Sequence, residues 1–259
     1  MPTAPWQIEA GDGPLVAAAI HAGHRLDPEV ARHMALDEAS RLREEDPYTD
    51  GWLDIAPSRI RVLRSRFELD LNRPADSAVY LEPAQAWGLR VWRTPPPAEL
   101  IARSRALHRA FYAEIEAFIA RRLACCPRLV ILDLHSYNHR RAGPDAPPAD
   151  AAHNPDINLG TASVVGPDWR PLIDAFATAL RSGAAPALDV RENVKFQGGA
   201  FVRWCHARFG DRVCALAIEM KKTFMDEWTG QLDTQRHRRI GRALAAAAAA
   251  IEGRLEPCP

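Results

Sequence analysis

The sequence predicts an α/β fold, a sheet covered by helices on both faces, and three observations carry that prediction. Apolar runs of strand length recur at residues 15–20, 129–134 and 213–220. Amphipathic stretches with helical spacing of their apolar residues lie between them. The alternation runs on without an internal repeat or a domain linker, so residues 1–259 are expected to form a single domain.

Taken in order, residues 15–20 read as a short buried strand that ends at His21. Pro28 opens a helical pattern in which Val30, Met34, Leu36, Ala39 and Leu42 recur, and Glu44-Glu45-Asp46-Pro47 stops it. Residues 60–71 read as a strand interspersed with arginines. Residues 94–97 break the chain, 98–124 form a long amphipathic helix, and 129–134 form the next strand. The stretch 140–154, rich in Pro, Ala, Gly and Asp, is expected to be an exposed loop. Order resumes at 157–161, followed by a helix at 171–182, a glycine-ended loop at 189–199 and a helix at 201–209. A strand at 213–220 and a helix at 232–255 complete the reading.

Composition narrows the function. Lys plus Arg and Asp plus Glu both total 33, and the absence of a basic excess argues against a nucleic-acid partner. The N-terminal residues lack the basic and apolar regions of a signal peptide, and the alanine-rich run 243–250 is a helix too short to span a membrane. Five cysteines, at 125, 126, 205, 214 and 258, show no metal-type spacing and are expected to be reduced, mostly buried thiols of a cytoplasmic protein. Oligomeric state is not legible.

Two short stretches carry the chemistry. Asp70-Leu71-Asn72-Arg73 closes one extended segment and Asp133-Leu134-His135-Ser136 closes another. A carboxylate and an imidazole at the mouth of a buried strand are costly unless they bind something. Asp133, two residues before His135 on the same strand face, is placed to accept the second N–H of a metal-ligating ring. His21 also follows a strand, with Gly23 permitting a tight turn and His24 a further candidate ligand. One of Glu44, Glu45 and Asp46 can supply an oxygen ligand. Glu219 is an acid on an apolar strand, suited to a general base, with a salt bridge to Lys221, Lys222 or an arginine as the structural alternative. Asn72 and Arg73 offer fixed donors for a carboxylate, and Arg66 precedes them. His139 and His153 read as exposed.

In their order these stretches resemble the N-formylglutamate amidohydrolase family, within the wider zinc carboxypeptidase- and aspartoacylase-like superfamily. The resemblance rests on His21-Ala22-Gly23, Glu44 to Asp50, Ser65-Arg66-Phe67, Asp70 to Arg73 and Asp133 to Ser136. It continues through Asp156 with Leu159-Gly160-Thr161, Asn193 to Gly199, Ile218-Glu219 and Met225-Asp226-Glu227. It implies a mixed, mostly parallel sheet between helices and one zinc ion, or another divalent metal, held by His21, His135 and Asp46, with Glu45 as the alternative carboxylate. It further implies Glu219 as general base, Arg66 as the oxyanion partner, and Asn72 with Arg73 as the clamp for a substrate carboxylate. The implied reaction is hydrolysis of a small acidic N-acyl amino acid, foremost N-formyl-L-glutamate to formate and L-glutamate. A deacylase or peptide amidase of other specificity, and a catalytically silent metal-binding protein, are the competing readings. The superfamily often takes its carboxylate ligand three residues after the first histidine, where this chain has His24.

Overall fold

In the computed structural model, which describes residues 4–256 and 258, seven strands form one sheet. These are β1 (Trp6–Glu9), β2 (Leu15–Ala19), β3 (Ser58–Val62), β4 (Leu129–Tyr137), β5 (Ile157–Gly160), β6 (Val190–Glu192) and β7 (Val213–Lys221), in the spatial order β1-β3-β2-β4-β7-β5-β6. The central strands β3, β2, β4 and β7 run parallel, β6 runs parallel to β5, and β1 and β5 are antiparallel to their inner neighbours. The expected mixed, mostly parallel sheet is what forms.

Strands β2, β4 and β7 carry apolar residues on both faces, as strands covered from both sides must, whereas β3 alternates with the half-buried Arg59 and Arg61. Leu15, Ala17 and Ala19 of β2 join Leu132, Leu134, Leu216 and Ile218 under the helices α4 (Arg170–Ser182) and α6 (Thr234–Glu252). The alternate residues Val16, Ala18, Ile131, Ala215 and Ala217 face α3 (Ala98–Cys125) and α5 (Ala200–Phe209). Asp133, His135 and Glu219 share the parity of this second face, so all three emerge on it at the carboxyl ends of β4 and β7.

Several expectations need correction. The helical pattern from Pro28 divides into α1 (Pro28–His33) and α2 (Glu38–Glu44), because Met34 turns extended to bridge Trp92 and Asp37 then caps the second helix through Ser40 N. The strand expected at 60–71 stops at Val62. Beyond it the chain turns, with Glu68 N bonded to Ser65 O at 3.0 Å, and this turn brings Arg66 against Asp70. The loop at 189–199 contains β6, and β1 has no counterpart in the sequence reading. Cys126 is bonded to Cys258, which joins the end of α3 to the C-terminal segment. Cys205 and Cys214 are buried thiols and Cys125 is exposed. Among the described residues no helix is long and apolar enough to cross a membrane.

One buried histidine serves the sheet rather than the site. Strand β5 pairs with β7 only from Ala217 to Met220, so the Ala215 N–H lies beyond that ladder, and His206 Nε2 of α5 accepts it at 2.9 Å. Nδ1–H of the same ring then donates to Ser163 Oγ at 2.9 Å. Burial pulls the His206 pKa down to about 4, so the unfolded chain takes up a proton near pH 6.5 that the folded protein refuses. His206 therefore contributes stability above about pH 6.5 that is lost as the pH falls toward 4, a change on the order of 3 kcal/mol. Urea titrations between pH 7 and 4.5 should show this loss in the wild type and a flatter slope in His206→Gln. Equal slopes would remove the histidine as the cause.

Candidate metal centre and active site

Strand ends and one loop build the site. His21 follows β2 directly, and the next turn passes so close to β3 that a Cβ at Gly23 would overlap the Leu63 carbonyl. Close approach, rather than an unusual φ, is what that glycine permits. Asp46 lies just past α2 and is fixed from several sides. Its N–H donates to His21 O at 3.0 Å, Thr49 Oγ1 donates to its carbonyl at 2.7 Å, and Ser136 Oγ donates to its Oδ1 at 3.2 Å. The fully buried ammonium of Lys222 donates to the backbone carbonyls of Arg43 and Glu45, the latter at 2.7 Å, and so holds the same loop from below.

His21, Asp46 and His135 are all buried and offer ligand atoms within 4.8 Å of one another. Asp46 Oδ2 lies 2.9 Å from His135 Nδ1 and 3.5 Å from His21 Nδ1. The opposite nitrogens are occupied: His21 Nε2 reaches Asp70 Oδ1 at 2.8 Å and His135 Nε2 reaches Asp133 Oδ2 at 2.9 Å. With Nε2–H donated to a carboxylate, a neutral ring turns its Nδ1 lone pair toward Asp46, the tautomer a metal ligand requires. His21 Nδ1 is buried and has no hydrogen-bond partner among the described residues, a costly state that a cation would relieve. Three buried aspartates also converge on these two imidazoles, an anionic excess in a dry setting. Burial alone would raise the Asp46 pKa; the His135 and His21 rings set against the carboxylate outweigh it and hold the carboxylate ionised. An N/O/N donor set of this kind fits zinc and similar divalent ions.

A cavity of about 330 Å³ opens over the triad. Glu219 stands on its wall, in register with His135 on one side and Asn158 on the other. Burial pushes its carboxyl up to about 7, with His135 opposing and Asp46 and Asp133 reinforcing the rise. Glu219 makes no ion pair among the described residues: Lys221 pairs with Asp156 at 2.9 Å and Lys222 with backbone carbonyls. Arg66 also lines the cavity, held by Asp70 Oδ2 at 2.8 Å and Tyr80 Oη at 3.1 Å, with the Trp87 ring over its guanidinium. Asn72 lines it too. Its Oδ1 accepts Phe201 N of α5 at 3.0 Å, and a Cβ at Gly199 would overlap its carboxamide.

Three sequence expectations meet a different geometry. Arg73 turns away from the cavity, donating to Gln85 O at 2.7 Å and stacking over the Tyr80 ring, because consecutive residues of this irregular segment point in different directions. His24 is exposed, and its carbonyl accepts Arg41 at 2.9 Å. Glu45 is buried on the far side of its loop, bonded to Ser65 Oγ and Arg41, so Asp46 is the carboxylate that meets the histidines. His153 is exposed and His139 half-buried, and neither lines the cavity.

Other residues had no role of their own in the sequence reading. Asp70 does for His21 what Asp133 does for His135, a parallel visible in the repeated Asp-Leu pairs. Tyr80 bridges Arg66 and Asp70. Glu227 accepts the backbone N–H groups of His139 and Arg140, and Asp226 pairs with Arg140 at 2.9 Å, so the 225–227 stretch frames the loop after β4.

A family model described as N-formylglutamate amidohydrolase matches residues 13–225 of the chain. Among solved structures, the chain is similar to N-formylglutamate amidohydrolase from Ralstonia eutropha JMP134, with a TM-score of 0.77 at 16% identity over 97% of this chain and 98% of that one. It is also similar to a gene product of Agrobacterium tumefaciens, with a TM-score of 0.59 at 20% identity over 93% and 95% of the two chains. No curated protein matches the sequence. At these identities the structural likenesses establish a shared fold.

Proposed function

The chain belongs to the N-formylglutamate amidohydrolase family, and from that premise we propose that it hydrolyses the amide bond of an acidic N-acyl amino acid, foremost N-formyl-L-glutamate to formate and L-glutamate. The observation that carries the proposal is the buried triad, with the outer nitrogen of each ring held by its own aspartate, beside an uncommitted carboxyl on the same sheet face. Without a base, the triad would serve a storage or structural site equally well.

In this proposal His21, Asp46 and His135 hold one divalent metal ion, zinc by the chemistry of its donors. That ion would polarise the scissile carbonyl and acidify a neighbouring water. Glu219, pushed up to about 7, takes the proton of the attacking water and returns it to the departing amine nitrogen. Arg66 has N–H groups to spare beyond its bonds to Asp70, Tyr80 and the Glu44 carbonyl, and these serve the oxygen on which negative charge develops. Asn72 keeps its Nδ2 available, since its hydrogen-bond neighbour there among the described residues is His135 Nε2 at 3.5 Å, itself bonded to Asp133. Arg73, outside the cavity, takes no part in the clamp.

The test is formate release from N-formyl-L-glutamate by purified protein, with glutamate measured in parallel. Equal yields of formate and glutamate, abolished by a chelator and restored by zinc, are the expected result. A chelator-insensitive reaction, or none with any N-acyl amino acid tried, would overturn the proposal.

A further inference from the structure

With Arg73 outside the cavity, the site needs another cation if it is to bind an acid. The cationic residues lining it are Arg66, Arg141, Lys195 and Lys222. Three are already committed. Arg66 is paired with Asp70, Arg141 is bonded through both Nη atoms to the Glu44 carboxylate at 3.1 and 2.9 Å, and Lys222 is spent on two backbone carbonyls. Lys195 alone of the four has no carboxylate or backbone carbonyl on its ammonium among the described residues. Its Nζ donates to the neutral Asn154 Oδ1 at 2.6 Å and lies 5.1 Å from the Tyr137 ring centre.

The backbone beneath Lys195 is tightly held. Asn158, fully buried on β5, accepts Lys195 N at 2.9 Å and donates to Phe196 O at 2.8 Å. Asn158 is also the register partner of Glu219. Across the sheet the order is therefore His21 after β2, His135 on β4, Glu219 on β7, then Asn158 on β5 carrying the Lys195 loop. Triad, base and uncommitted cation follow one another across the strand ends, the order in which an acyl carbonyl, an amide nitrogen and a more distant carboxylate would lie. Asn138, buried at the cavity wall, has a side-chain oxygen with no partner among the described residues, an acceptor open to a substrate N–H.

We propose that Lys195 is the anchor for a carboxylate of the acyl amino acid and sets the preference for acidic substrates, with Asn138 accepting an N–H of the same substrate. The proposal rests on the hydrolase reading given above. The partial desolvation of Lys195 at the cavity rim and the nearby Arg141 disfavour its charge, with Glu219 opposing them, and an incoming carboxylate relieves that penalty.

Lys195→Met, at an exposed position, is compared with wild type on N-formyl-L-glutamate and on its diamide, in which both carboxylates are carboxamides. The loss in kcat/KM on the diacid should exceed that on the diamide by about tenfold or more, mostly through KM, and Lys195→Arg should restore most of it. Equal losses on the two substrates would overturn the anchor. Glutarate binding to the metal-loaded protein, followed by calorimetry, gives an answer without turnover. Binding weakened by about tenfold in Lys195→Met supports the anchor even if formate release fails. Unchanged glutarate binding would sink it even with the hydrolase activity intact.

Discussion

Glu219→Gln is expected to lower kcat by about 10²- to 10⁴-fold while leaving the metal content at the wild-type level. The substitution keeps the shape of a side chain lodged between His135 and Asn158 in the register of the sheet, yet removes its ability to take a proton. None of the triad's hydrogen bonds involves Glu219, so ligand geometry should survive. Stability offers an independent control. A carboxyl raised to about 7 from an ordinary value near 4.5 contributes stability below pH 4.5 that is lost as the pH rises through 7. The glutamine side chain has no charge to bury, so the variant should be at least as stable as wild type at pH 8. A low turnover accompanied by unfolding would point to a structural role, and near-normal turnover with metal in place would remove Glu219 as the base.

His135→Ala and Asp46→Asn are expected to lose the metal and all measurable hydrolysis. His135 is the pivot of the site, with Asp46 on one ring nitrogen and Asp133 on the other. Its removal withdraws a ligand and leaves two buried carboxylates facing a void, which should also cost about 3–5 kcal/mol of stability. Asp46→Asn is the gentler test. The amide fills the same space and can keep the Ser136 hydrogen bond, but it brings no charge to the metal. If elemental analysis finds a full equivalent of metal in either variant, the triad is not where the metal binds.

The sheet was legible where burial dictates composition. Strands β2, β4 and β7 are apolar on both faces, so their runs stand out in the sequence, and polar residues at their ends mark the mouth of the site. The short edge strands β1 and β6 carry charged and polar residues, as edges exposed to water do, and they hide in a pattern scan. Helix α1 ends at His33 for a tertiary reason, the Met34 bridge to Trp92, and local periodicity carries no trace of it.

The chemistry divides in the same way. Asp133 and His135 lie two apart on one strand, so their hydrogen bond follows from strand geometry. Asp46 meets His135 across 89 positions, and only the fold could select it over Glu45 next to it. Arg73 points out of the cavity because adjacency to Asn72 in an irregular segment fixes no common direction. Lys195 depends on the buried Asn158, an amide that in sequence is merely a polar residue between Ile157 and Leu159. The Cys126–Cys258 bond, spanning 132 residues, is a tertiary pairing that spacing does not announce.

The central claim is that the buried His21, Asp46 and His135 hold a metal ion on which hydrolysis depends. The most direct measurement is a titration of zinc into chelator-stripped wild-type protein, with bound metal and formate release from N-formyl-L-glutamate followed in the same samples. Binding should saturate at one ion per chain, formate release should rise in proportion to it, and Asp46→Asn should show neither. Activity that appears before metal is bound, or stoichiometric metal uptake by Asp46→Asn, would contradict the account.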